Sequence, residues 1–243
     1  MRRGLSLVCL TVLVLLGAAG AAVAQETPSS SSVEFWPEID LWLRLSPSWR
    51  LSSFAALSKN IETAYREGSL ILQADFAWGR FKRVVKRRMF DEDRAREMRA
   101  WMARVGYLNG RSLDDQGEAY REDTALVELH LRNPLKGRVL VSHRLRMDFR
   151  WLGEEREFSA RARYRLMLEK ELLAGRTSII PYVNVEPSFD SRYQIVNRVR
   201  LCGGATVSWW RPIALEGNFT YQHDSKSSIT EIYAVNVILH VFF

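Results

Sequence analysis

The feature that most constrains the fold of this 243-residue chain is a strict alternation of apolar and polar side chains, in segments of about ten residues or more. In RVLVSHRLRMDFRW, residues 138–151, the odd positions hold Val, Val, His, Leu, Met, Phe and Trp, whereas most even positions hold Arg, Ser or Asp. Side chains that alternate with a period of two lie on opposite faces of a β-strand. The chain is therefore predicted to consist of strands with one apolar and one strongly charged face.

The same alternation recurs along the chain, and each segment ends near Gly, Pro, Asn, Asp or Ser, which favour turns. The predicted strands lie near residues 36–45, 49–58, 69–80, 98–108, 122–132, 138–151, 157–169, 178–188, 194–208, 213–223 and 232–243. The stretch FKRVVKRRMF, residues 81–90, is a candidate for a twelfth strand or for an extension of the third.

Two features of these segments favour a membrane barrel over the alternative, a secreted soluble β-sandwich. The strands exceed the commonest length in globular sheets, about 5–6 residues, and match the roughly 9–11 residues that cross a bilayer at a tilt. Aromatic residues also stand near strand ends, where membrane barrels carry interfacial girdles. These residues are Trp36, Trp49, Trp78, Tyr107, Trp151, Tyr193, Trp209, Tyr221 and Tyr233.

The predicted fold class is thus all-β: a transmembrane, antiparallel up-and-down β-barrel of about 12 strands. Ten strands are the alternative, because single-chain bacterial barrels have even strand numbers. After residue 25 no apolar stretch approaches the roughly 18 residues of a membrane-spanning helix, so the strands are expected to do the spanning.

The N-terminal residues have the layout of a cleavable secretory signal: two arginines, an apolar run from Leu5 to Leu16, and small residues up to Ala24. The alternative, an uncleaved signal anchor, needs a longer apolar run of roughly 20 residues. We expect cleavage after residue 24, a flexible polar lead-in over 25–35 and the barrel over 36–243. The expected location is the outer membrane of a Gram-negative cell.

Arginines dominate the polar faces of several strands and are predicted to form a charged belt inside the barrel. With its carboxylates, the predicted belt comprises Glu128, Arg144, Arg146, Asp148, Arg150, Arg161, Arg163, Arg165, Glu169, Glu186, Arg198, Arg200 and Glu216. Unpaired buried charge is costly, so the carboxylates are expected to pair with arginines. Two roles remain open: the belt rigidifies a structural or envelope-maintenance barrel, or it lines a narrow channel or site for small anionic solutes. The limited room in a small barrel favours the structural role.

The chain ends on an apolar, aromatic strand. The face predicted to contact lipid includes Val237, Leu239, Val241 and Phe243, and the strand is expected to pair with the first strand near residues 38–45. Such pairing removes the edges of the sheet, as a membrane requires. An aromatic last residue resembles the signal that outer-membrane assembly machinery reads. Outer-membrane lipids and that machinery are therefore the expected partners.

No catalytic or metal-binding arrangement is recognised around the histidines His130, His143, His223 and His240. The phase of His143 points it toward lipid together with Asn197, which would suit a lipid hydrolase or acyltransferase, but Ser142 has the opposite phase. Ligand spacing for a metal is not found. Despite a formal net charge of +7, the arginines are interleaved with apolar residues rather than gathered on one exposed face, which argues against nucleic acid. We expect no enzymatic activity, no cofactor and no metal.

Several motifs follow one another in a fixed order. They are VGYLNG at 105–110, HRLRMDFRW at 143–151, FSARARYRL at 158–166, PYVNVEPSFDSRY at 181–193, NRVRLCGGATV at 197–207 and YQHDSKSS at 221–228. In this order they resemble a bacterial outer-membrane β-barrel family known as domain of unknown function 2490. The resemblance is strongest from residue 138 and implies an outer-membrane barrel, without an established activity, substrate or catalytic residue.

Two details within these motifs predict local irregularity. Pro187 and Ser188 depart from the family pattern and would shorten their strand or introduce a bulge. The pair Gly203 and Gly204 is interpreted as a kink or bulge, because strand glycines often mark such places.

Overall fold

Twelve β-strands and no helix are found among the residues that the computed structural model describes, which are 30–63, 65–82, 97–113, 120–175, 177–210 and 212–243. The strands are β1 Ser31–Arg44, β2 Trp49–Asn60, β3 Arg66–Lys82, β4 Glu97–Ser112, β5 Arg121–Leu135, β6 Val139–Leu152, β7 Glu157–Lys170, β8 Leu172–Ala174, β9 Thr177–Asp190, β10 Ile195–Trp210, β11 Ile213–Asp224 and β12 Glu231–Phe242. Within the described residues no helix is long and apolar enough to cross a membrane. The predicted signal peptide, residues 1–24, lies outside the described residues.

Eleven of the strands form a closed ring. Neighbours along the chain pair from β1 to β7, β7 pairs with β9, and β12 returns to β1. The short strand β8 pairs with β9 and continues β7 after a break at Glu171. The fold class predicted from the alternation, an all-β barrel of about 12 strands, is confirmed as eleven ring strands plus β8.

The ring closes through a parallel contact. Twelve residue pairs join β1 to β12, from Ser31 opposite Glu231 to Trp42 opposite Phe242. All other neighbours in the ring are antiparallel. The expectation of an even, wholly antiparallel ring is therefore wrong, because a ring with an odd number of strands forces two neighbours to run parallel.

The strands predicted from the alternation correspond to the eleven ring strands. Phe81 and Lys82 belong to β3, and the remainder of the candidate twelfth strand, 83–90, lies outside the described residues. β1 begins at Ser31, so the last part of the predicted lead-in, 31–35, is strand and not a flexible segment. These residues are held because they pair with 231–235 of β12.

The two faces of the ring differ in chemistry as the alternation predicts. Outward side chains are apolar and exposed, as at Leu72, Val105 and Phe219. Inward side chains are mostly polar and buried, as at Asp75 and Glu128. The buried interior of this protein is therefore its lumen, and the lumen is where charge is concentrated.

The aromatic residues near the strand ends mostly face outward, with one exception. Exposed examples are Trp49, Trp78, Tyr107 and Tyr193. Trp36 instead faces the lumen, where its indole Nε1 donates a 2.6 Å hydrogen bond to Glu34. Its placement in the predicted girdle is wrong because the even-numbered residues of β1 point inward, as the burial of Asp40 and Trp42 shows. The side chain of Trp209 lies outside the described residues.

A register shift in β10 changes the phase of that strand near its start. The shift lies between Val196 and Arg198 where β10 pairs with β9. As a result Asn197 is buried and its Nδ2 lies 3.3 Å from Asp224, so its predicted lipid-facing orientation is wrong. β9 itself runs on through Pro187 to Asp190, so the irregularity expected at Pro187 falls on the neighbouring strand.

The glycine pair of β10 lies in regular pairing with β9 and β11, and not at a bulge. A Cβ on Gly204 would overlap the Cβ of Asn218 and the carbonyl oxygen of Gly217. Gly203 has more room, with Val183 Cγ1 at 3.8 Å. Gly204 therefore permits a close approach of two strands, which is a second reason for glycine in a sheet.

Candidate functional site: the charged lumen

The lumen contains a cavity of about 700 Å³ that is lined by side chains from all eleven ring strands. Among the described residues ten arginines and ten carboxylates line it, so their positive and negative charges are closely balanced. All thirteen residues of the predicted charged belt lie on this wall. They reach it because the inward positions of each strand repeat every second residue.

Glu128 is the centre of the main ion-pair network. Its side chain is fully buried, and its carboxylate lies 2.8 Å from His130 Nε2, 3.2 Å from Arg104 Nη1, 3.3 Å from Arg146 Nη1 and 3.6 Å from Arg144 Nη1. These groups come from three neighbouring strands, β4, β5 and β6. One buried carboxylate therefore compensates several cations, and neutralising it would leave buried positive charge without its central partner.

Glu186 continues the network toward β9. Arg144 and Arg163 both donate to its carboxylate, the latter through Nε at 2.8 Å. Arg163 also contacts Asp148 at 3.6 Å, and Asp148 accepts a hydrogen bond from Arg146 Nε. The network thus extends without a break from β4 through β5, β6 and β7 to β9.

The pair Asp75 and Arg104 extends the network to β3. Arg104 donates two hydrogen bonds to Asp75, at 2.6 and 3.1 Å, in the bidentate geometry that makes such pairs strong. Its guanidinium also lies 5.7 Å from the ring centroid of Trp42 on β1. Arg104 therefore joins side chains from strands that are not neighbours in the sheet.

A second polar cluster lies at the β11, β12 and β1 side of the lumen. His240 Nδ1 lies 3.0 Å from Asp40 Oδ2, and His240 Nε2 lies 3.3 Å from Glu216 Oε2. Glu216 also accepts hydrogen bonds from Thr206, at 2.7 Å, and from the Tyr182 hydroxyl. Glu216 was expected in the arginine belt, and here it stands beside a histidine and two hydroxyl groups.

Arg150 organises the end of the lumen at which β7 and β10 begin. Its guanidinium lies 3.0 Å from Glu122 and 3.3 Å from Asp190. Asp190 is also bound by Arg192, at 2.9 Å, from the turn that follows β9. Asp190 is thereby shared between two arginines.

Two tyrosines at the same end of the barrel donate to carboxylates of the wall. The hydroxyl of Tyr120 donates to Glu122 at 2.6 Å, and that of Tyr65 donates to Glu67. Burial, followed by the neighbouring carboxylate, raises the pKa of both phenols above its usual value. Both groups therefore remain protonated donors at neutral pH.

Arg161 and Arg200 differ from the other arginines described above. Arg161 makes no ion pair or hydrogen bond with any residue that the structure describes. Arg200 donates to the neutral amide oxygen of Gln222 at 2.6 Å and lies 5.5 Å from the centroid of the Trp36 ring. Neither guanidinium forms an ion pair with a described carboxylate, although Glu122 acts on Arg161, and Glu186 acts on Arg200 from the opposite position on β9.

Sequence reasoning missed several charged residues of the lumen, namely Asp40, Asp75, Arg104, Glu122, Asp190 and Asp224. Most lie in or next to predicted strands, and the signal that identifies them is the parity of their position. Asp190, for example, has the same parity as Glu186, but it lies beyond the predicted end of its strand. Extending each alternation to the following turn would have found it.

His143 lies on the outer surface, as its phase predicts. Its Nδ1 is 2.7 Å from the Tyr164 hydroxyl, which also faces outward. Ser142 lies on the other face, where it donates to Glu169 at 3.2 Å. Among the described residues no group of three or more His, Cys, Asp or Glu side chains is arranged to hold a metal ion.

Three residues of the predicted assembly signal, Val237, Leu239 and Val241, lie on the outer side of β12, and the fourth, Phe243, follows the strand with 70% of its surface exposed. Its backbone is nevertheless held: its N–H donates to the Trp42 carbonyl at 2.8 Å, and its carbonyl accepts from Arg44 N–H at 3.2 Å. The aromatic ring is therefore presented outward at the end of the β1–β12 pair.

A family model described as "Protein of unknown function (DUF2490)" matches residues 97–232. The chain belongs to this family. The resemblance recognised from the order of the motifs is thereby confirmed, and the matched region contains the network from Glu128 to Glu186. A search of curated proteins found no match. Among solved structures, the chain is similar to LpxR from Salmonella typhimurium, with 10% sequence identity, a TM-score of 0.49, and coverage of 84% of this chain and 87% of that one.

Proposed function

We propose that this protein is an integral β-barrel of the bacterial outer membrane and that its lumen network has a structural role, as in a barrel that maintains the envelope. The outer surface supports the placement in a membrane, because large apolar side chains are exposed around the ring. The ring strands have 12 to 17 residues, which is enough to cross a bilayer at a tilt. A closed ring also leaves no strand edge facing lipid.

The observation that carries the structural role is the burial of Glu128 among Arg104, Arg144, Arg146 and His130. A permeating solute would have to pass side chains that form ion pairs with one another across neighbouring strands. Such a network fixes neighbouring strands relative to one another at the middle of the barrel.

Fractionation of cells tests the location. We expect the mature protein in the outer-membrane fraction, with a folded form that migrates faster on a gel until it is heated. Recovery as a soluble periplasmic protein would contradict the proposal. The proposed partners are accordingly outer-membrane lipids and the machinery that assembles barrels in that membrane.

A narrow channel for small anionic solutes is the second candidate. The cavity of about 700 Å³ favours it, together with Arg161 and Arg200, which form no ion pair with a described carboxylate. Electrical recordings in planar bilayers distinguish the two roles, because only the channel conducts.

We assign no catalytic role to His143. A hydrolase would need a nucleophile and a base within hydrogen-bonding reach. Ser142 contacts Glu169 inside the lumen, whereas His143 contacts Tyr164 on the outer surface. The two groups lie on opposite faces of the same strand.

A further inference from the structure

Arg161 stands between two carboxylates in the sheet and pairs with neither of them. On β7 it is opposite Asp148 of β6 on one side and Asp190 of β9 on the other. Its side chain lines the lumen cavity. An ion pair with either neighbour would be the ordinary arrangement for a lumen arginine, so the reason for its absence is informative.

Both carboxylates already form ion pairs with other arginines. Asp148 accepts from Arg146 and lies 3.6 Å from Arg163. Asp190 is bound by Arg192 at 2.9 Å and lies 3.3 Å from Arg150. The wall around Arg161 therefore carries more positive than negative charge.

The other charges that act on Arg161 do not restore the balance. The strongest of them are Arg150, Arg198, Arg163 and Glu122. Glu122 is itself engaged, since it lies 3.0 Å from Arg150 and accepts 2.6 and 2.7 Å hydrogen bonds from Tyr120 and Thr124. Three of these strongest additional charges are thus cations, and the fourth is a carboxylate that already has partners.

Arg198 and Arg200 add two cations on β10, which is separated from β7 by β9, and Glu186 of β9 lies opposite Arg200. Arg198 donates to Asp224 at 2.9 Å. Arg200 contacts the neutral amide of Gln222 and the Trp36 ring. Both side chains line the same cavity as Arg161. Arg161 and Arg198 are each within a few residues of the start of their strands, Glu157 and Ile195, and so lie near one mouth of the barrel.

We propose that Arg161, Arg198 and Arg200 form a binding site for the oxyanion group, a phosphate or a carboxylate, of a small soluble ligand. The planar guanidinium fork matches the geometry of these groups and binds them through two parallel hydrogen bonds. The guanidiniums of Arg161 and Arg200 form no ion pair with a described carboxylate and supply the attraction, and Trp36 supplies an apolar surface beside Arg200. The site goes beyond the proposed structural role, because it requires a lumen that small solutes enter at one mouth and does not require conduction through the barrel.

The test uses the full mature barrel, folded in a non-ionic detergent, with inorganic phosphate as the probe. The temperature at which the folded gel band disappears is measured in phosphate and in chloride at equal ionic strength and pH. We expect phosphate to raise this temperature in a saturable manner, as a ligand of the native state does. Equal temperatures in the two salts at all concentrations would overturn the inference.

The variant Arg161→Gln removes a positive charge that forms no ion pair, together with the guanidinium fork. We expect it to weaken the apparent affinity for phosphate by about tenfold or more, the equivalent of one charge-assisted hydrogen bond. In chloride it should fold and be at least as stable as the natural protein, because it loses a charge without a partner. Lys170→Gln, at the exposed far end of the same strand, is the matched control and should retain the full phosphate effect. An unchanged phosphate response of Arg161→Gln, or its failure to fold, would contradict the assignment.

A second variant and a second probe make the test independent of that one substitution. Arg200→Gln should also weaken the phosphate response, and an unaltered response would remove Arg200 from the site. Phosphatidylglycerol added to the micelles distinguishes a soluble oxyanion from a lipid headgroup: stabilisation by the lipid but not by inorganic phosphate would overturn the lumen site. If phosphate binds and the barrel does not conduct, both this inference and the structural role are supported. If phosphate does not bind and the barrel does not conduct, only this inference is overturned.

Discussion

His240 Nδ1 lies 3.0 Å from Asp40 Oδ2, across the pair of strands at which the barrel closes. The two residues are opposite each other in the parallel register of β1 and β12. The other ring nitrogen of His240 lies 3.3 Å from Glu216 on β11, so one imidazole links three adjacent strands. Parallel pairing is slightly less stable per residue than antiparallel pairing, and this side-chain bridge reinforces the closure from inside.

Replacing His240 by Ala should therefore destabilise the barrel. It leaves Asp40 and Glu216 buried without their common partner, and we expect the free energy of unfolding to fall by about 1–3 kcal/mol. Urea unfolding in lipid vesicles measures the change. His223→Ala, on the half-exposed outer side of β11, is the control and should have a smaller effect. Equal losses in the two variants would show that the closure does not depend on the bridge.

Replacing Glu128 by Gln keeps the size of the side chain and removes its charge. Arg104, Arg144 and Arg146 would then share a buried site without their central carboxylate, so we expect a loss of about 3–5 kcal/mol in the free energy of unfolding. Glu157→Gln changes an exposed carboxylate at the start of β7 and should leave stability nearly unaltered. A stable Glu128→Gln barrel would contradict the structural role of the network.

Gly203 and Gly204 provide a matched pair within one strand. Ala at 204 would overlap Asn218 and Gly217, whereas Ala at 203 meets Val183 at an ordinary contact distance of 3.8 Å. We expect Gly204→Ala to cost about 1–3 kcal/mol of stability or to prevent folding, and Gly203→Ala to be tolerated. The reverse order of stabilities would indicate that β10 and β11 do not approach each other in this way.

Replacing Phe243 by Ala tests the role of the terminal ring in assembly. The backbone hydrogen bonds to Trp42 and Arg44 do not depend on the side chain, so the substitution removes the ring and keeps the strand pairing. We expect less heat-modifiable barrel in cells, with in vitro folding largely preserved. Phe243→Tyr retains an aromatic ring and serves as the control. Normal assembly of Phe243→Ala would rule out the ring as the signal.

The alternation of side chains was sufficient to predict the ring strands, because a period of two is a local property of the chain. It also predicted the inward face, since Arg144 and Glu186 reach the lumen by parity alone. What it could not provide was the partner of each charge. Asp75 binds Arg104 on the next strand, and Arg144 binds Glu186 although β7 lies between their strands. Such pairs depend on the register of the strands and on the width of the lumen.

The closure and the two exceptions, Asn197 and Trp36, have different origins. An odd ring and its parallel seam arise from how the first strand joins the last, which no local pattern records. The side chain of Asn197 points inward because of a register shift in β10. One extra residue in a strand moves the side chains that precede it to the opposite face of the sheet. Trp36 was assigned to the girdle from its residue type, although the parity of β1 points it toward Arg200.

Conductance of the folded, full-length mature barrel in planar bilayers tests the central claim most directly. Insertion is verified in the same preparation by the heat-modifiable gel band, and a porin added to the same bilayer verifies that single channels are detectable. The ion-pair network around Glu128 predicts no single-channel steps in potassium chloride or potassium phosphate. Reproducible steps from the verified barrel would contradict a structural lumen and establish the narrow channel in its place.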